Sequence, residues 1–133
     1  MGRKYIKPKT AEKLAKDIIQ WLIDNELWGD INIYVNGRRY SNHSEYGNYH
    51  YGQTWDDVFV QEDVDPWDYL EYAAHNHILS MSFEGSLCHI LNYYYDNTKY
   101  CDEMIAEFDK LFEKHGMYYE FGHHWNLTVY PLN

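Results

Sequence analysis

A chain of 133 residues with aromatics at 19% and a formal net charge of −10 falls in the size range of one domain. Acidic tails and disordered chains are poor in aromatics, so the composition excludes both and predicts a folded core. Between Arg39 and Lys99 there are ten acids and no Lys or Arg, which disfavours direct binding of a nucleic-acid backbone or an anionic membrane by that region, because both need cations.

The charge is uneven. Residues 1–16 carry six cations against Glu12 alone, a local +5, so the other 117 residues carry −15. The opening MGRKYIKPKT has cations with no apolar run behind it, and no stretch reaches the roughly 18 apolar residues of a bilayer span. Cys88 and Cys101 are the only cysteines and make no disulfide framework. Together these features predict a cytoplasmic protein with free thiols and no membrane contact.

In chain order, residues 1–9 read as a basic, flexible lead-in. Thr10 then caps a helix over 11–25, whose Ala11, Leu14, Ala15, Ile18 and Leu22 follow helical spacing and whose end is marked by Gly29. INIYVNGRRYS predicts a hairpin, with apolar Ile31, Ile33 and Val35 alternating around Asn32 and Tyr34. Asn36-Gly37 suits a type I′ turn, pairing Val35 with Arg38 and Ile33 with Tyr40. SNHSEYGNYHYGQT is polar and aperiodic, a loop of the length that often carries function. A strand is expected over 57–61, then a short helix over 66–74 capped by Asp65 and opened by Pro66. HILSMSFEG alternates Leu79, Met81 and Phe83 with Ser80 and Ser82, the pattern of a half-buried strand. A short helix over 86–94 with Ser86 as cap follows. A longer one over 98–115 carries Cys101, Met104, Ile105, Phe108, Leu111 and Phe112 on one stripe and stops at Gly116. The remainder predicts a hairpin turning around Gly122–Trp125. Tight turns between strands and few crossover helices point to an α+β domain over 1–133: an antiparallel sheet of about five to six strands with two main helices and shorter helices packed on it.

Catalytic signals are thin. Ser86 lacks the G-x-S-x-G context, and Cys88 and His89 are helical neighbours that do not face each other. His75 and His77 would share a face on a strand, whereas adjacent His123 and His124 would need a turn to converge. No H-E-x-x-H or C-x-x-C is present. The expectation is a protein with no cofactor, no structural metal and no enzymatic activity.

One stretch stands out. WDDVFVQEDVDPWDYLEY, residues 55–72, holds seven carboxylates and five aromatic rings and no cation. Like charges repel, so the cluster costs stability unless a partner selects it. The alternative is a solvated face around core Val58, Val60, Trp67 and Leu70. Read as a contact surface, Asp56, Asp57, Glu62, Asp63, Asp65, Asp68 and Glu71 supply charge for a basic partner, and Trp55 and Trp67 supply anchoring area.

From HILSMSFEGSLCHILNYYY through LFEKHGMYYEFGHHWNLTVYPLN, with INIYVNGRRYS as a weaker match, the chain resembles small acidic accessory proteins of phage and mobile elements, of the anti-CRISPR and antirestriction type. That resemblance implies a non-enzymatic inhibitor of a basic nucleic-acid-binding protein such as a CRISPR or restriction nuclease, with a homodimer also admissible. Two other readings stay open: a small-molecule or nucleotide-binding protein with a Tyr/His-rich pocket, and a His-dependent metalloenzyme.

Overall fold

The computed structural model describes residues 7–44, 47–65 and 79–132. The expected 66–74 helix lies outside them, as do Trp67, Asp68, Glu71, His75 and His77. Helix α1 spans Pro8–Asp24, three residues ahead of the expected start. Proline at the first helical position has its φ already set and no N–H to lose, so Pro8 opens the helix and Thr10 is not its cap. Residues 8 and 9 therefore belong to α1 and not to a flexible lead-in. Its apolar stripe, Ala11, Leu14, Ala15, Ile18, Ile19 and Leu22, is buried.

Strands β1 (Ile31–Val35) and β2 (Arg38–Ser41) form the expected hairpin, with Val35 opposite Arg38 and Ile33 opposite Tyr40. Asn36 and Gly37 take φ values of 51° and 76°, the left-handed pair that a type I′ turn requires. The strand expected over 57–61 is shorter. Trp55–Asp57 forms a 3-10 turn, and β3 is only Phe59–Gln61. The turn wins because Thr54 donates from its hydroxyl and backbone N–H to the Asp57 carboxylate, at 2.8 and 3.3 Å. That capping box ties residue 57 back to 54 and removes it from the ladder.

The chain continues through β4 (Leu79–Phe83), α2 (Ser86–Leu91), α3 (Thr98–Lys114), β5 (Met117–Phe121) and β6 (Asn126–Pro131). Gly85, not Ser86, is the N-cap of α2. Asn97 caps α3 by accepting from the Tyr100 N–H. The six strands make one antiparallel sheet in the order β3-β2-β1-β4-β6-β5, so the fold is α+β.

Alternation sorts the side chains onto two faces. Ile31, Ile33, Val35, Leu79, Met81, Phe83, Leu127 and Val129 meet the buried stripes of the helices in one core with Trp28, Phe108 and Phe112. The opposite face carries Asn32, Tyr34, Arg39, Ser80, Ser82, Asn126 and Thr128. All five residues of β4 are buried, not half of them, because β4 lies centrally and its serines are paired. Asn32 Nδ2 donates to Ser82 Oγ at 3.1 Å, and Ser80 and Thr128 hydroxyls lie 3.5 Å apart. Cys88 and Cys101 are free and buried.

Candidate functional site

The acidic segment occupies the β3 edge of the sheet. Its position is set by Trp28, a fully buried ring. Trp28 Nε1 donates to the Asp57 carbonyl at 3.0 Å, and the Gln53 amide bonds both the N–H and the C=O of Trp28. The 3-10 turn is thus fastened beside α1. Trp55 stands outward, 42% exposed, with Nε1 donating to Gln20 Oε1 at 2.7 Å. A ring anchored at one atom and open over much of its area is suited to contact.

Beyond the turn, Val60 on β3 is half exposed. Glu62, Asp63 and Asp65 follow, all exposed. Asp63 adopts φ 56° and turns the chain so that the Val64 N–H bonds the Gly37 carbonyl at 2.8 Å. Val64 buries against Tyr34 on the sheet's polar face. The strand between the two acidic groups is three residues long, about 10 Å. The structure therefore brings Trp55, Asp56, Glu62, Asp63 and Asp65 along one edge.

Two of the sequence's expectations need correction. Asp57 does not stand with the others: it is half-buried, held by Thr54, with His50 Nδ1 at 3.8 Å. The segment is also not wholly without a cation. Arg38, which lies outside the cation-free stretch in sequence, reaches Glu62 at 3.0 Å from Nε and Glu12 at 3.2 Å. These two carboxylates raise the already high Arg38 pKa, Glu62 most strongly. Tyr40, bonded to Glu12, has its hydroxyl pushed up to about 12, by burial first and the Glu12 carboxylate second. This Glu12–Arg38–Tyr40 group joins α1 to β2. Strand alternation puts Arg38 on the helix side, but its second partner, Glu62, is 24 residues away and invisible to local pattern.

A second feature lies on the polar sheet face. A groove of about 1050 Å³ is lined by residues including Asn32, Tyr34, Arg39, Ser82, Glu84 and Trp125. The ring of Trp125 stacks on His123 with centroids 5.2 Å apart. The His124 carbonyl accepts from Asn92 Nδ2 at 2.7 Å. Among the described residues, no three His, Cys, Asp or Glu side chains come together as metal ligands, and no helix is long and apolar enough to cross a membrane.

The chain matches no protein-family model, no curated protein and no solved structure. The functional reading therefore rests on the geometry of this molecule alone.

Proposed function

We propose that the chain is a non-enzymatic inhibitor that docks its acidic β3 edge onto the cationic surface of a nucleic-acid-handling protein, a CRISPR or restriction nuclease being the fitting class. One observation carries the reading. Asp56, Glu62, Asp63 and Asp65 are exposed on either side of β3, much of Trp55 is open, and Arg38 pairs with Glu62. Carboxylates along a strand edge offer a basic groove the charge it expects from phosphates. Trp55 adds the desolvated anchor that charge alone lacks.

A nucleotide-binding groove is the weaker reading. The groove sets Arg39 against Glu62 and Glu84, and such a balance disfavours phosphate.

The test is charge reversal at Asp56→Lys, Glu62→Lys and Asp63→Lys together. Asp57 is left intact because it holds the local fold. The association rate with a basic RNA-guided nuclease should fall roughly ten-fold or more at low salt, and the difference should close as salt rises. Equal rates for wild type and variant at every salt concentration would reduce the acidic edge to a solvated face.

A further inference from the structure

The corner between α2 and α3 carries more aromatic surface than the core uses. The two helices are already seated by Leu87, Cys88, Ile90 and Leu91 on α2 and by Cys101 and Met104 on α3, all buried. The rings between them face outward. Tyr93, Tyr94, Tyr95 and Tyr100 are all exposed, Tyr94 by 60%. His89, also exposed, joins three of them into one patch. Its ring centroid lies 5.8 Å from Tyr94 and 5.7 Å from Tyr95, and Tyr95 lies 6.3 Å from Tyr100. Exposed rings gathered into a patch mark contact surfaces, whereas scattered ones are ordinary.

The backbone holds this patch under strain. The Tyr94 N–H bonds the His89 carbonyl at 2.8 Å, and the Tyr93 N–H bonds the Ile90 carbonyl at 3.3 Å. That is a helix-closing motif whose left-handed residue is ordinarily glycine. Here the residue is Tyr93, at φ 57°, where a bulky side chain is an outlier. Core packing does not offset the strain, since the Tyr93 ring is 48% exposed. Its hydroxyl instead donates to Asp102 on α3 at 2.6 Å. The bond ties the turn to α3 and sets Tyr94 and Tyr95 in place before any partner arrives. Strain held by a tether in this way suits a pre-organised contact.

The charge around the rings selects the partner. Asp96 adjoins Tyr95 in the chain, Asp102 holds Tyr93, and Glu103 lies one turn along α3 from Tyr100. Lys99 is the one cation in residues 92–107. Phosphate and anionic lipid are therefore poor ligands here. A guanidinium fits, because its planar face stacks on a tyrosine ring while its N–H groups reach a carboxylate. We infer that the α2–α3 corner binds arginine side chains presented by a partner protein. Asn92 ties the corner to the His124 carbonyl in the β5–β6 turn, at the opposite end of the sheet from β3. The inference therefore does not rest on the inhibitor reading.

The probe is a short Gly-Arg repeat peptide, with Gly-Lys and Gly-Glu repeats of equal length for comparison. Each is titrated into the chain carrying Asp56→Lys, Glu62→Lys and Asp63→Lys, so that the β3 edge adds no attraction. Amide NMR shifts report the binding. They should gather at residues 89–103, and the Gly-Arg peptide should bind several-fold more tightly than Gly-Lys, with no binding of Gly-Glu. Tyr94→Ser with Tyr95→Ser should weaken Gly-Arg binding roughly ten-fold, as two exposed cation–π contacts are lost. Thermal stability should not change, because neither ring is buried. Equal affinity for the arginine and lysine repeats would overturn the inference. So would a double variant that binds as well as its parent, or shifts that gather elsewhere on the chain.

Discussion

Asp57 shows how one residue in an acidic run can serve the fold while its neighbours serve the surface. Its carboxylate is packed so closely against Gly52 that a Cβ at residue 52 would lie 2.0 Å from Oδ2 and 2.4 Å from Cγ. Glycine is needed there for the approach of a side chain, not for an unusual φ. Gly52→Ala should drive the carboxylate off Thr54 and cost about 1 kcal/mol, the usual value of a lost helix cap. In an Asp57→Ala background the same change should cost nothing or slightly stabilise, because the clash is gone and alanine restricts the unfolded chain. Urea unfolding of the four proteins in the cycle checks this, and equal costs in both backgrounds would deny the coupling. No local pattern in the sequence shows this contact. D-D in an acidic stretch reads as two equivalent charges until the chain is seen to fold back on itself.

At the scale of elements, α3 was legible and its neighbours less so. The 3.6-residue spacing of Cys101, Met104, Phe108 and Phe112 selects the buried face, and all four are buried. Ile105 and Leu111, read as part of the same stripe, are only partly buried at its margins. Phe108 sits at the centre, 5.5 Å from Trp21 on α1, 4.9 Å from Phe112 and 5.3 Å from Tyr119 on β5. Phe108→Ala should therefore cost about 3–5 kcal/mol in equilibrium denaturation, the loss expected when a fully enclosed ring leaves a cavity. A loss under about 1 kcal/mol would mean that the three elements do not close on this ring. Tyr119 completes the cluster and donates to Asp109 at 2.5 Å. Burial, chiefly, and then that carboxylate push its hydroxyl pKa upward. By contrast, β3 is short, and its boundary is decided by a cap and by pairing with β2, neither of which has a period.

Across the whole molecule, α1 and α3 are clasped by Asp17 with His115 and Lys114. His115 Nε2 lies 2.7 Å from Asp17 Oδ2, and Lys114 Nζ lies 3.5 Å away. Burial, the largest single influence, pushes the Asp17 carboxyl up. The hydrogen bonds and charges of His115 and Lys114, taken together, outweigh it, so its pKa lies below the ordinary value. A depressed folded pKa stabilises above the unfolded value, about 3.9, and that contribution is lost as pH falls through the folded value. Asp17→Asn should thus be less stable than wild type at neutral pH, by under about 1 kcal/mol for so exposed a pair. The gap should narrow as pH drops below about 4. Urea midpoints at pH 3 and pH 7 measure it, and a gap that is constant with pH would assign the loss to packing instead.

Periodicity and turn chemistry act over a few residues, so the sequence by itself determined α1, α3, the type I′ turn, the closing hairpin and the α+β class. It also determined that most of the acids must face water, because unpaired carboxylates cannot be buried in number. Contacts between residues far apart in the chain carry no local signature, and these only the tertiary structure decided. The placement of β4 in the middle of the sheet buried Ser80 and Ser82. The reach of Arg38 to Glu62 placed a cation in a run that looked free of cations, and Thr54 withdrew Asp57 from it. The strand order left the short, acidic β3 at one edge and β5 at the other. Strand order is a property of pairing, and pairing depends on which hydrogen-bonding edges the folded chain leaves unfilled.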